Sequence, residues 1–225
     1  MGSFGRASAI RVQSFIVSDR KVRVLLTGGI GAGKSSVGEL LRGRGALVID
    51  ADEIGHRVLK RDGAAFNQVA EAWPSVVVDG VIDRRRLADI VFRDPVDLEL
   101  LEGFTHAAIR KQIAVLIRKA TEEVVVVEVP LLIDFMGAGW LRVVVDADPH
   151  VRMERLRKRR MDEDDAMRRM SAQPDRTTWN EAADVVIDNS GDPDALQAQV
   201  DALWEGLTSR QRRPAGGPGC QCPGG

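Results

Sequence analysis

The sequence predicts an α/β fold built on a parallel sheet, and three observations lead to that prediction. Short apolar stretches alternate with helical patterns along most of the chain, which is the order that gives parallel strands joined by crossover helices. Residues 123–133, EVVVVEVPLLI, are β-branched and almost continuously apolar, as in strands buried on both faces. The glycine-rich segment at 28–35, GGIGAGKS, directly follows an apolar run and opens a helical pattern.

Each predicted element depends on a local pattern in the chain. A strand follows the helix stop at Gly45, and the long stretch at 52–120 is polar and mostly helical, with turn signals at Asp62-Gly63 and Asp79-Gly80. A highly charged helical region at 151–173 separates the last two strands. In chain order, the predicted strands are 23–28, 46–50, 123–133, 141–148 and 184–189, and the predicted first and last helices are 34–42 and 193–207.

The glycine-rich segment has the spacing of a nucleotide-phosphate loop, Gly28-x-x-x-x-Gly33-Lys34-Ser35. Its glycines permit backbone torsions that let successive N–H groups face a phosphate. Lys34 supplies a positive charge for the β- and γ-phosphates, and the Ser35 hydroxyl is a ligand for Mg²⁺. The helix that begins here directs its positive end at the same point. The segment therefore predicts nucleotide binding.

A phosphate site of this kind also requires carboxylates. Glu128 closes an apolar strand, where an acid commonly holds Mg²⁺ directly or through water, although it could instead reach solvent. Asp146, at the end of LRVVVD, is a weaker candidate for the same role. Asp50-Ala-Asp52 follows the second strand, at the edge of a parallel sheet where ligands bind. Asp52 could accept a proton from an acceptor hydroxyl or cap the next helix, and the two aspartates could divide these roles.

Arginines are concentrated in residues 152–170, RMERLRKRRMDEDDAMRRM. For most of them a solvated pair of helices with ion pairs between successive turns is a sufficient explanation. In a small phosphotransferase, however, a helical lid of this kind brings arginines over the transferring phosphoryl group and excludes water. The candidates for that role are Arg152, Arg155, Arg159 and Arg160.

Composition excludes several classes of protein. The 225 residues include 32 basic and 33 acidic side chains, which does not suggest a nucleic-acid surface. No apolar run approaches the length of roughly 20 residues that spans a bilayer. The two cysteines, Cys220 and Cys222, lie in a Gly/Pro-rich tail and cannot cross-link a core, which favours a reduced, cytoplasmic protein. We predict a monomer or weak oligomer.

The ends of the chain have the composition of disordered segments. Residues 1–21 are rich in Ser and Arg and poor in acids, so a disordered extension is expected, with a transit peptide as the alternative. Residues 208–225 are of low complexity and are also expected to be disordered. A GTPase switch is disfavoured because no N-K-x-D guanine-reading motif occurs, and Asn189-Ser-Gly-Asp192 lacks the lysine.

Taken in order, the motifs resemble the dephospho-CoA kinase family from about Val22 to Leu207. The resemblance is carried by TGGIGAGKS, VIDADEIGHRV, DGVIDRRRLADIVF, the His-containing ELLEGFTHAAI, VPLLID and AQ…AD-VIDNSG. It implies a P-loop kinase-like three-layer α/β sandwich in which residues of about 52–120 form a helical substrate-binding insertion and residues of about 151–176 form a short lid. It also implies ATP-dependent phosphorylation of the ribose 3′-hydroxyl of dephospho-CoA.

The resemblance assigns roles by position. Asp52 corresponds to the base for the 3′-hydroxyl, Lys34 to a catalytic cation and Arg155 to a contact with the ATP phosphates. Ser35 and Glu128 are the expected metal ligands. The residues implied for ATP binding are Gly29, Ile30, Gly31, Ala32, Gly33, Lys34, Ser35, Ser36, Asn189 and Gly191, and those implied for the acceptor are Asp52, Asp83, Arg84, Leu87 and His106.

Core packing is an alternative role for Leu87, and a structural hydrogen bond is an alternative role for His106. The chain departs from the family pattern at Ala107, Asp134, Trp73-Pro74 and Trp179-Asn180. A kinase for another small hydroxyl-bearing metabolite, and a nucleotide-binding regulator without transfer activity, are the alternative functions.

Overall fold

The protein is described here by a computed structural model that covers residues 21–130 and 135–209. Within these residues, strands and helices alternate along most of the chain. The strands are β1 Val22–Thr27, β2 Leu47–Asp50, β3 Val77–Val78, β4 Val81–Ile82, β5 Val124–Glu128, β6 Leu141–Asp146 and β7 Val185–Asp188. The α-helices are α1 Lys34–Gly43, α2 Ala51–Val58, α3 Phe66–Ala72, α4 Arg84–Val91, α5 Pro95–Lys119, α6 Pro149–Lys158, α7 Glu163–Ser171, α8 Arg176–Glu181 and α9 Pro193–Thr208, and a 3₁₀ turn covers Pro74–Val76.

The main sheet has five strands in the order β2-β5-β1-β6-β7, and all of its pairings are parallel. The register places Glu128 beside both Leu26 and Asp50, so the carboxyl ends of β1, β2 and β5 lie at one edge of the sheet. This is the edge at which ligands bind in open α/β sheets. The predicted α/β class is confirmed.

Helices cover both faces of the sheet, which gives three layers. On one face, Leu26 of β1 and Val126 of β5 pack with Leu41 of α1 and Leu203 of α9. On the other face, the alternate strand residues, such as Val127, pack with residues of α2 and α5. Strand side chains point alternately to the two faces, so a central strand buried on both must be apolar at every position, as the valine run of β5 is.

The insertion after β2 has its own small core. Helices α3 and α4, the 3₁₀ turn and a two-stranded hairpin enclose buried residues that include Val69, Trp73 and Leu87. The hairpin turns at Asp79 (φ 51°) and Gly80 (φ 73°), which fits a two-residue turn with two left-handed residues. The sequence predicted the turn but not the strands, because two-residue strands are too short to show an alternating pattern.

Two predicted strands end at least two residues earlier than expected: the strand predicted over 141–148 ends at Asp146, and the larger error concerns the third strand. The strand predicted over 123–133 ends at Glu128. The Val129 N–H still donates to the Leu26 carbonyl oxygen at 2.9 Å, but Pro130 has no N–H with which to continue the pairing. Residues 131–134, with Asp134, lie outside the described residues.

The tails predicted at the two ends fall largely on residues 1–20 and 210–225, which also lie outside the described part of the chain. Thr208 is the last residue of α9. Among the helices of residues 21–130 and 135–209, none is both long and apolar enough to cross a membrane.

Candidate active site

The loop between β1 and α1 has the backbone of a phosphate site. Gly33 immediately precedes α1 and adopts the left-handed conformation, with φ 97°. A Cβ atom at this position would lie 2.1 Å from Nδ2 of Asn189, so both the torsion and the close approach require glycine. A helix leaves its first N–H groups without acceptors inside the helix. Here the Ser36 N–H donates to the Gly33 carbonyl oxygen at 3.1 Å, and the N–H groups of Lys34 and Ser35 before it are the ones offered to an anion.

Lys34 is the first residue of α1, and its side chain turns back along the loop. Its Nζ donates to the carbonyl oxygen of Gly28 at 2.9 Å. Burial lowers the pKa of the Lys34 ammonium, and the nearby carboxylates of Glu128 and Asp52 act in the opposite direction. The lysine therefore lies where its charge can meet both a phosphate and the acidic side chains of the sheet edge.

The two aspartates after β2 have different roles. The Asp50 side chain caps α2, because its Oδ1 accepts from the Asp52 N–H at 2.8 Å and from the Glu53 N–H at 3.1 Å. The Asp52 carboxylate is therefore not needed as a cap and remains open to solvent at the cleft. Partial burial of the carboxylate raises the pKa of Asp52. The negative charge of Asp50 raises this pKa further, and the positive charge of Lys34 lowers it. The structure therefore assigns the helix cap to Asp50 and leaves Asp52 as the candidate for the base.

Glu128 and Asp146, the two candidates for a metal ligand, lie in different environments. Glu128 ends β5 beside Asp50, and burial raises its pKa while Lys34 lowers it. Asp146 ends β6 and is engaged by Arg176, whose Nη2 lies 2.6 Å from the Asp146 Oδ2. Because an arginine already neutralises Asp146, Glu128 is the better candidate.

Lys34, Asp52 and Glu128 line one cleft of about 370 Å³ at the carboxyl edge of the sheet. Sequence reasoning missed three residues of this cleft, Pro130, Arg169 and Gln173. Arg169 lies on α7 and also donates from Nε to Oδ2 of Asp165 at 2.9 Å. In the sequence it is one of many arginines in a charged run. Only the packing of the helices distinguishes it. The cleft is lined by Ile30, Lys34, Asp50, Asp52, Glu128, Pro130, Arg169 and Gln173.

The predicted lid arginines divide into two groups. Arg152 and Arg155 lie against the phosphate loop: Arg152 Nε donates to the Ile30 carbonyl oxygen at 2.8 Å, and Arg155 Nη1 to the Ala32 carbonyl oxygen at 3.1 Å. Arg159 and Arg160 are exposed. Arg160 adopts φ 60° where the chain leaves α6, so it forms the turn between α6 and α7, the two helices predicted to form the lid.

A second cavity of about 530 Å³ lies on the other side of the loop, between α1 and the start of α9. Asn189 and Gly191, which the sequence assigned to the nucleotide, both line it together with Arg155 and Arg159. Asn189 is buried and joins the loop to β7, since its Nδ2 donates to the Ala32 carbonyl oxygen at 2.7 Å and its oxygens accept from Arg155.

The acceptor residues predicted in the insertion are not gathered in one place. Asp83 caps α4 by accepting from two backbone N–H groups, and Leu87 is 3% exposed in the core of the insertion. His106 stands edge-on to Phe135 with ring centroids 5.3 Å apart, and burial lowers its pKa. Burial raises the pKa of Asp52, and the positive charge of Arg84 weakly opposes this rise, so the arginine is within electrostatic reach of the cleft.

The residues of the cleft, together with Ser35 of the adjoining helix α1, fit a nucleotide with Mg²⁺. Within the described ranges, no three His, Cys, Asp or Glu side chains form a complete metal cage. Mg²⁺ in phosphotransferases is commonly held by one or two protein oxygens together with phosphate oxygens and water. Ser35 at the start of α1 and Glu128 at the end of β5 offer such a partial set.

A parallel sheet with a glycine loop, a loop lysine and strand-end carboxylates at its carboxyl edge defines a P-loop phosphotransferase. The family model described as dephospho-CoA kinase matches residues 22–194. A dephospho-CoA kinase of Corynebacterium jeikeium is 39% identical over 193 residues, which cover 83% of this chain and all of that protein. The chain belongs to the dephospho-CoA kinase family.

Solved structures agree with this assignment of the fold. The crystal structure of TT1252 from Thermus thermophilus superposes with a TM-score of 0.74 at 29% identity, covering 84% of this chain and 98% of that one. A dephospho-CoA kinase from Campylobacter jejuni superposes with a TM-score of 0.55 at 23% identity, covering 84% and 99%. The predicted P-loop kinase-like fold is confirmed.

Proposed function

We propose that this chain transfers the γ-phosphoryl group of ATP to the ribose 3′-hydroxyl of dephospho-CoA and releases CoA and ADP, the final step of CoA synthesis. The observation that carries the proposal is the meeting of Lys34, Asp52 and Glu128 in one cleft, in a chain of the dephospho-CoA kinase family. Each of these side chains has a distinct role in the transfer.

ATP binding is assigned to the loop and to the second cavity. The N–H groups of the loop and the start of α1 would receive the β- and γ-phosphates, with Lys34 supplying the fixed positive charge. The nucleoside would extend toward Asn189 and Gly191. A magnesium ion held by Ser35 and Glu128 would neutralise charge on the β- and γ-phosphate oxygens.

Asp52 is the proposed base. It accepts the proton of the 3′-hydroxyl while that oxygen forms its bond to the γ-phosphorus, and the bond between the γ-phosphorus and the β–γ bridging oxygen breaks, so ADP leaves with the electron pair. The raised pKa of Asp52 makes it a better proton acceptor than an ordinary aspartate. The acceptor enters from the side of the insertion, where Arg84 provides a positive charge for the phosphates of dephospho-CoA.

Arg169 completes the proposed site from the lid. Its exposed guanidinium lines the cleft opposite Lys34, where it can offset charge on the transferring phosphoryl group. Arg155 is proposed to contact the phosphates of the same nucleotide from the side of the second cavity. It lines that cavity and donates to the carbonyl oxygens of Ala32 and Asn189.

The test is acceptor-dependent release of ADP by purified protein with ATP and Mg²⁺. With dephospho-CoA, we expect ADP and CoA to form in equal amounts. A panel of shikimate, nucleosides and sugar acids identifies a different acceptor if dephospho-CoA is inert. A folded protein that binds ATP but transfers phosphate to no acceptor would instead be a nucleotide-binding regulator. The cytoplasmic location and the monomeric or weakly oligomeric state remain predictions, to be tested by cell fractionation and light scattering.

A further inference from the structure

Two side chains from the lid hold the tip of the phosphate loop at Ile30. The Gln173 Oε1 accepts from the Ile30 N–H at 2.8 Å, and the Arg152 Nε donates to the Ile30 carbonyl oxygen at 2.8 Å. The two side chains are also joined to each other, because the Arg152 Nη2 donates to the same Gln173 oxygen at 3.2 Å. Both polar groups of the Ile30 residue are therefore engaged in one closed set of hydrogen bonds.

The loop is shaped to admit this arginine. A Cβ atom on Gly29 would lie 2.5 Å from Nη2 of Arg152 and 2.7 Å from its Cζ. Any larger residue at position 29 must displace the guanidinium group. A glycine at position 29 thus leaves room for the Arg152 guanidinium to lie against the loop.

Gln173 is also connected to the charged side chain over the cleft. Its N–H bonds to the Met170 carbonyl oxygen at 3.3 Å, so Gln173 lies in the turn that directly follows the end of α7 at Ser171. Arg169 lies four residues earlier, and both line the cleft with Lys34. Gln173 and Arg169 therefore border the same cleft from one continuous segment of the chain, α7 and the turn after it.

We propose that Gln173 and Arg152 are positioning residues that clamp the phosphate loop to the lid, so that the loop takes its phosphate-binding shape together with the seating of Arg169 over the cleft. This inference rests on the proposed phosphoryl transfer. Neither residue needs to touch the nucleotide, since both act through Ile30.

The first test measures the clamp without any catalysis, by hydrogen exchange of backbone amides in the full-length protein. In Gln173→Met the Ile30 N–H loses its acceptor, and its exchange should accelerate about tenfold, because one net hydrogen bond is worth about that factor. Gln173→Glu keeps an acceptor oxygen and should preserve the protection. Arg168→Met, an exposed neighbour on α7, is the matched control and should leave the Ile30 exchange unchanged. Equal acceleration at Ile30 and at core amides such as Val126 would contradict a local clamp.

The second test is a double-mutant cycle with Gln173→Met and Arg152→Met. For each variant, kcat, the KM for ATP and the affinity for ATP are measured. Each single change should lower kcat about tenfold and change ATP affinity less than about threefold, since the Arg169 that the clamp positions acts chiefly on the phosphoryl group in the transition state. The double variant should be no worse than the poorer single variant, because both changes open one clamp. Multiplicative losses, or kcat equal to that of Arg168→Met, would overturn the proposal. If the unchanged protein transfers phosphate to no acceptor, the proposed function fails while the exchange measurement still decides whether the clamp exists.

Discussion

Replacing Asp52 with Asn tests the proposed base most directly. The substitution removes the proton acceptor while keeping the size of the side chain, and it does not remove a helix cap, because Asp50 provides the cap of α2. General-base catalysis contributes about 10²- to 10⁴-fold to rates. Lys34 and Glu128 stay in place, so electrostatic stabilisation persists, and we expect kcat to fall about 10³-fold, or about 4 kcal/mol in activation free energy.

The same change should stabilise the fold at neutral pH. The folded-state pKa of Asp52 is raised above the ordinary value of 3.8, so the unfolded chain loses this proton first as the pH rises. Between the two pKa values the folded state binds more protons than the unfolded state, and the free energy of unfolding falls as the pH rises through that window. The asparagine of the variant does not ionise and has no such penalty. The Tm of the variant should therefore exceed that of the unchanged protein at pH 7 and approach it below pH 3.8.

The assay couples ADP release to dephospho-CoA across a range of pH, together with thermal unfolding of each variant. Asp50→Asn is the matched control, because asparagine caps a helix about as well as aspartate. Removing the Asp50 charge should lower the pKa of Asp52, so the acid limb of the kcat/KM profile should move to lower pH with only a small loss of kcat. Asp52→Asn should lack that limb. Equal losses of kcat in the two variants, or a kcat for Asp52→Asn within tenfold of the unchanged protein, would refute the assignment of the base.

Three further changes test the rest of the site. Lys34→Met should lower kcat/KM for ATP about 10²- to 10³-fold without unfolding the protein, and an undiminished kcat/KM would remove the lysine from the site. Glu128→Gln should raise the Mg²⁺ concentration needed for half-maximal activity about tenfold, as a magnesium titration would show, whereas an unchanged titration would point to another ligand. Arg176→Met should leave the Asp146 carboxylate, 10% exposed, without its cation. Because the arginine is half-exposed, the free energy of unfolding should fall by only about 2 kcal/mol, which lowers the Tm by about 4–8 °C. An unchanged Tm would show that the ion pair contributes nothing to stability.

Much of the site was predictable because its chemistry is local in sequence. The run from Gly28 to Ser35 lies on one turn between a strand and a helix, so spacing alone places the loop and the lysine together. Asp52 and Glu128 were also predictable, since the carboxyl ends of parallel strands share an edge. Which of the two aspartates, Asp50 or Asp52, caps α2 was not predictable, because two acids before a helix can each serve as a cap.

The lid was predictable only as a class of structure. An arginine-rich pair of helices was evident, but the sequence selected Arg152, Arg155, Arg159 and Arg160 and missed Arg169. Which arginine of a charged run faces the cleft depends on the turn between α6 and α7, where Arg160 takes φ 60°. Such a torsion in a residue other than glycine has no local sequence signal.

The sequence by itself determined the fold class, the phosphate loop and the family, because these depend on hydrophobic period and on motifs read within a few residues. Only the tertiary structure decided which groups act together. It left Asp52 open to the cleft, paired Asp146 with Arg176, and brought Gln173 onto the backbone of Ile30, 143 residues away in the chain. Contacts over that separation arise from the order and register of the parallel strands and from the packing of the lid, which no local pattern encodes.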